Sequence, residues 1–96
     1  MYQPSRSEGG TLKALRTAAH QALLRILVRA RDRADFTQTE LAHRLGRSQS
    51  WVSNIERGER RLEAIEFAQL CRELNLQPGR VLGRLPLPSR RSAKGG

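Results

Sequence analysis

Apolar residues recur along most of this chain at spacings of three and four, the period of a helix buried on one face. The first such stretch predicts a helix from Thr11 to about Arg33. Leu12, Leu15, Ala19, Leu23, Ile26, Leu27 and Ala30 keep the rhythm, and Arg16, Arg25, Arg29 and Arg33 fall on other faces. A second helix, from Gln38 to about Leu45, groups Leu41, Ala42 and Leu45. A third, from Gln49 to about Arg57, groups Val52 and Ile55. A fourth spans about Ala64 to Leu74, with Ala64, Ile65, Phe67, Ala68, Cys71 and Leu74 as its stripe. Pro78, a favoured first helical residue, opens a last short helix to about Leu82 that offers Val81 and Leu82. The pattern predicts an all-α fold with five helices and no sheet. Its expected core is Leu23, Ile26, Leu27, Leu41, Ala42, Leu45, Val52, Ile55, Ile65, Phe67, Ala68, Cys71 and Leu74.

The residues between the second and third stretches are strong punctuation. Thr37 is a good N-cap, and Glu40 three residues on completes a capping box, with Phe36 and Leu41 at the staple positions. Gly46 stands where a helix C-terminus takes a left-handed residue. Ser48 caps the next helix and Gly58 ends it. Two short helices joined by a three- or four-residue turn containing glycine form the signature of a helix-turn-helix.

The third stretch has two faces. Val52 and Ile55 make a packing side, while Gln49, Ser50, Ser53, Asn54 and Arg57 cluster nearly opposite. That second side carries short amides and hydroxyls, groups that hydrogen-bond base edges. Trp51 lies beside the packing side, where it covers the core edge and could touch a sugar or phosphate. Glu56 is placed to pair with Arg60, and Glu40 with Arg44.

The residues Thr37-Gln38, Glu40-Leu41-Ala42, Leu45-Gly46, Ser48-Gln49-Ser50, Val52-Ser53, Ile55-Glu56 and Gly58-Glu59-Arg60 resemble the XRE/Cro-type family of phage repressors and bacterial regulators. The resemblance runs from about Ala22 to Leu82. It implies a compact, lambda-repressor-like bundle of about five helices that binds double-stranded operator DNA as a homodimer. By the same resemblance Gln38 would meet a phosphate from the start of the second helix. Gln49, Ser50 and Asn54 would read bases, next to the cap Ser48, and Ser53 and Arg57 would border the bases or reach the backbone. The dimer contact would lie around Val81 and Leu82, with Leu12 and Leu15 as the alternative. Where the family often has glycine before Phe36, this chain has Asp35, which tolerates the left-handed region better than most residues.

Length and charge bound the rest. At 96 residues the chain makes one domain with tails: an arm and helix extension over 1–21, the helix-turn-helix domain over 22–83, and a basic tail over 84–96, rich in Pro and Gly and expected to be disordered. A net charge of +9 suits a polyanion. No long uncharged apolar run marks a membrane span or a signal peptide, and the single cysteine, Cys71, fits a reducing cytoplasm, with the nucleoid as the expected location. His20 and His43 have no Cys or carboxylate at metal-ligand spacing. Ser48, Ser50 and Ser53 have no positioned base. No cofactor and no catalysis are therefore expected.

Two functions fit these residues. One is a sequence-specific DNA-binding transcription regulator, a repressor, with Arg90, Arg91 and Lys94 adding sequence-independent attraction to phosphate. The other is a protein-interaction module on the same fold, such as an antitoxin that masks a protein partner. Thr11 to Ala22 is either an exposed extension of the first helix or an added dimer contact through Leu12, Leu15 and Ala19.

Overall fold

The computed structural model describes residues 17–87. Five helices follow one another there: α1 Ala18–Arg33, α2 Gln38–Leu45, α3 Gln49–Glu56, α4 Ala64–Glu73 and α5 Pro78–Gly83. No strand occurs among the described residues. α2 and α3 pack most closely on each other; α1 carries α3 and α5, and α4 bridges α2 and α5.

α1 begins later than its apolar rhythm predicts. Thr17 is extended (φ −67°, ψ 155°), and its hydroxyl accepts the His20 N–H at 3.1 Å. An N-cap threonine that takes up a free amide starts a helix rather than continuing one, so no unbroken helix runs from Thr11 to Arg33. Leu12 and Leu15, the alternative dimer contact, lie outside the described residues; Ala19 is half-buried.

The first four helices end by one device. Asp35, Gly46, Gly58 and Asn75 have φ of 63°, 69°, 74° and 57°. After each, an amide reaches back over the last turn: Phe36 to Arg31, Arg47 to Ala42, Glu59 to Asn54 and Leu76 to Cys71, at 2.8–3.1 Å. These bonds satisfy carbonyls that the helix leaves open. Asp35 takes the left-handed role where the resemblance expects glycine. At Gly58 a Cβ would also come within 3.2 Å of Leu24 Cδ1, and that side chain would have to give way.

At Gly46 a Cβ would meet nothing within 4 Å, so only the backbone constrains the position. Gly46→Val should therefore lower stability by about 2 kcal/mol through strain at positive φ. Gly46→Asn should lose much less. Urea midpoints of the three proteins check this, and equal midpoints for valine and glycine would remove the strain argument.

The core holds Leu27, Ala30, Leu41, Ala42, Val52, Phe67, Leu70, Cys71, Leu74 and Val81 in one cluster, with Leu24 and Ile55 also buried. It departs from expectation in α1 and α4. Leu23, Ile26 and Leu45 are only partly buried and pack on its edge. Ile65 is 72 % exposed and Ala68 is exposed. In α4 the buried set is Glu66, Phe67, Leu70 and Cys71, so the inward stripe follows the 67–70–71–74 spacing and leaves Ile65 and Ala68 on the far side. Val81 is buried in its own core and is not free to meet a second copy. Leu82 and Leu87 remain exposed.

Candidate nucleic-acid interface

Ser48 starts α3 by accepting the Trp51 N–H at 3.1 Å. This leaves Gln49 and Ser50 exposed on the first turn. Thr37 starts α2 through a complete capping box: its hydroxyl accepts the Glu40 N–H at 3.0 Å, and Glu40 Oε1 accepts the Thr37 N–H at 2.8 Å. That contact, chiefly with the Thr37 amide, holds the Glu40 carboxyl below the usual range. The two caps fix Gln38 and Gln49 side by side, and Gln49 Nε2 donates to Gln38 Oε1 at 2.7 Å.

Gln38 also faces inward. Its Nε2 donates to Glu56 Oε1 at 2.8 Å. Arg31 clamps the same carboxylate, Nε to Oε2 at 2.6 Å and Nη2 to Oε1 at 3.1 Å, while Nη1 donates to the Phe36 carbonyl at 2.8 Å. The Arg31 and Glu56 side chains are only 14 % and 10 % exposed. The hydrogen bond to Glu56, opposed by burial, raises Arg31 above its already high value. Glu56 is thus spoken for by Arg31 and Gln38, and the expected pairing with Arg60 does not form. The partner came from a helix 25 residues away in sequence, which spacing within α3 could not reveal.

At the other end of α3, Arg57 folds back along its own helix. Its guanidinium donates to Ser53 Oγ at 2.9 Å, to Asn54 Oδ1 at 2.7 Å and to Glu59 Oε1 at 3.1 Å. Ser53 is buried, at 9 % exposure, unlike its neighbours on the polar side. It lies beneath Arg57 instead of facing outward. Asn54 is half-buried and Arg57 exposed.

A second node was not legible from spacing. Glu66 is buried at 7 % exposure, yet it receives Arg60 through two bonds at 3.0 and 3.1 Å and Arg47 at 3.3 Å. It also accepts the Glu63 N–H at 3.0 Å. The Arg60 bonds, more than any other contact, hold its carboxyl below the usual range against the opposing effect of burial. Both arginines lie over the Trp51 ring, 4.7 Å and 5.2 Å from its centroid, as cations favour. Trp51 is half-buried on the core edge, as expected. Two guanidiniums, one from just before α3 and one from beyond its end, are so held over Trp51 by Glu66. The visible signal was Glu66 at the third position of α4, where a glutamate reaches back to the cap amide. The expected Glu40–Arg44 pair does not form: Glu40 serves the cap, and Arg44 lies over the Phe36 ring at 4.3 Å and 3.8 Å from Glu73.

Other chemistry is sparse. Among the described residues no group of His, Cys, Asp and Glu is arranged to hold a metal ion. His43 is exposed and His20 half-buried, with burial pushing the His20 imidazole down. Cys71 is fully enclosed, and burial pushes its thiol up. No described helix is long and apolar enough to cross a membrane.

Comparison with known proteins agrees with this geometry. The profile of a family described as a helix-turn-helix domain matches residues 9–85. A solved structure described as an XRE-family like protein, from Pseudomonas syringae pv. tomato str. DC3000, is similar at 49% sequence identity, over 75% of this chain and 88% of that one, with a TM-score of 0.68. No curated protein matches.

Proposed function

The chain belongs to the XRE-type helix-turn-helix family, and from that membership we propose that it is a sequence-specific transcriptional repressor that binds operator DNA as a homodimer. The observation that carries the reading is the exposed, hydrogen-bonding first turn of α3, with Gln49 and Ser50 outward beside Gln38. Amides match the mixed donor and acceptor edge of adenine in the major groove, whereas phosphates offer acceptors only. In this reading residues 22–83 form the DNA-binding unit. Gln49, Ser50 and Asn54 read bases, Gln38, Ser48 and Arg57 hold the register or reach the backbone, and the buried Ser53 acts only through Arg57. Arg47 and Arg60 join them as phosphate contacts held in place by Glu66.

One α3 spans few base pairs, so a single copy gives little specificity. Two copies related by a two-fold axis would place their helices about 34–36 Å apart in successive major grooves. Leu82 and Leu87, exposed on and after α5, are the apolar residues offered to a second copy. The site of action is then the cytoplasm, on the nucleoid.

Selection of bound sites from random DNA tests this directly, with a two-fold symmetric consensus as the expected result. A selection that returns no consensus rejects sequence-specific reading, and sedimentation of the saturated complex at one protein per site rejects the dimer. On the selected site Gln49→Ala should lose about 1–3 kcal/mol, and little on random DNA. Arg57→Ala should weaken both by similar factors and lower the salt slope by about one. Equal losses on both DNAs for Gln49→Ala would remove Gln49 from base reading.

A further inference from the structure

Four side chains on three helices form one continuous line of hydrogen bonds: Arg31 of α1, Glu56 of α3, Gln38 of α2 and Gln49 of α3. We propose that Glu56 is a positioning residue that sets the direction of the Gln49 amide, and through it the base that α3 prefers. The proposal rests on the reading of Gln49 as a base contact.

The direction follows from donors and acceptors. A carboxylate paired with arginine accepts and cannot donate. Gln38 must therefore turn its NH2 to Glu56 Oε1, 2.8 Å away, because the opposite orientation would set two acceptors face to face. Gln38 is then left with its oxygen toward α3, so Gln49 must turn its own NH2 inward, at 2.7 Å. The outer edge of Gln49 keeps its oxygen and one N–H. That pair matches adenine, which offers an N6 donor and an N7 acceptor. A reversed amide would offer two N–H groups, which match the N7 and O6 acceptors of guanine.

The line starts where solvent competes least, at two side chains 14 % and 10 % exposed. It ends on an exposed one. Arg31 holds both carboxylate oxygens of Glu56, which keeps the origin from turning.

The test uses the full chain and duplexes of the selected site that differ only at the base pair whose preference Gln49→Ala alters. With its oxygen kept on Arg31 Nε, the shorter of the two contacts, Glu56→Gln gives up the Nη2 bond and presents an NH2 to Gln38, so each amide down the line reverses. The preference for adenine over guanine at that pair should fall about tenfold, with preferences at the other pairs unchanged. A general loss of folding would lower all of them alike. Glu56→Gln also weakens the pair with Arg31, so Gln38→Ala is the second variant. It leaves Arg31 and Glu56 together and should show the same selective loss, with no further change when Glu56→Gln is added.

In the free protein, the Gln49 side-chain amide resonances should move in Glu56→Gln and stay still in Glu59→Gln. Unmoved Gln49 resonances in folded Glu56→Gln, or adenine preference retained in it or in Gln38→Ala, would overturn the proposal. If Gln49→Ala removes the preference while Glu56→Gln keeps it, base reading stands and the positioning role alone fails. If Gln49→Ala changes no preference, both fail together.

Discussion

Arg31→Ala should lose about 3 kcal/mol of unfolding free energy and lower the melting temperature on the order of 15 °C. The substitution leaves the Glu56 carboxylate in a site that is 10 % exposed, with Gln38 as its remaining hydrogen-bond donor. Removing one partner of a sheltered ion pair costs more than the pair contributes, because the survivor stays desolvated and uncompensated. The same change frees the Phe36 carbonyl, which Arg31 Nη1 now satisfies at 2.8 Å, just past the left-handed Asp35 that ends α1. Adding Glu56→Leu to Arg31→Ala should recover part of the loss, since the buried charge is then gone. Thermal melts of the single and double variants decide the matter. A double variant less stable than the single one would show that Glu56 contributes without its arginine.

Leu41→Ala should cost a similar amount, about 3 kcal/mol. Leu41 is 1 % exposed and lines a void of about 10 Å³ with Leu27, Trp51, Val52, Ile55, Glu56, Leu70 and Leu74. At that size the void stands at the lower limit for a single water. Truncation enlarges it from the α2 side, and the loss grows with whatever volume the neighbours fail to fill. Four helices meet there, and collapse from the α2 side would have to move the α2–α3 pair that presents Gln38 and Gln49. Urea unfolding gives the stability. DNA affinity measured well below the melting point should change little if the pair does not move. A loss under 1 kcal/mol would mean that the site closes over the missing atoms.

Local chemistry made much of this fold legible in advance. Thr37 with Glu40, Ser48, Gly46, Gly58 and Asp35 act through atoms within a few residues of themselves, and each forms the cap or turn its position predicts. The buried side of α2 and α3 was equally plain in Leu41, Ala42, Val52 and Ile55. What stayed hidden depends on distant partners. Ile65 keeps a helical spacing with Ala68, but so do Phe67, Leu70, Cys71 and Leu74, and only the placement of α2 and α5 chooses between the two sides. Glu66 enters the interior because Arg47 and Arg60 arrive from other segments. Glu56 is drawn to Arg31 for the same reason, and the Ser53 hydroxyl is taken by Arg57, a bond that the split of α3 into two faces did not announce.

The enclosed cysteine has a practical consequence. The chain carries one thiol, and it sits at 0 % exposure where α4 meets the core. A disulfide reagent can reach it only when that part of the structure opens. Where reclosing outruns the reagent, the modification rate equals the rate of a free thiol multiplied by the fraction of molecules open at any instant. Each copy therefore keeps a chemical clock of its own excursions from the native state, which runs in plain buffer and needs no denaturant.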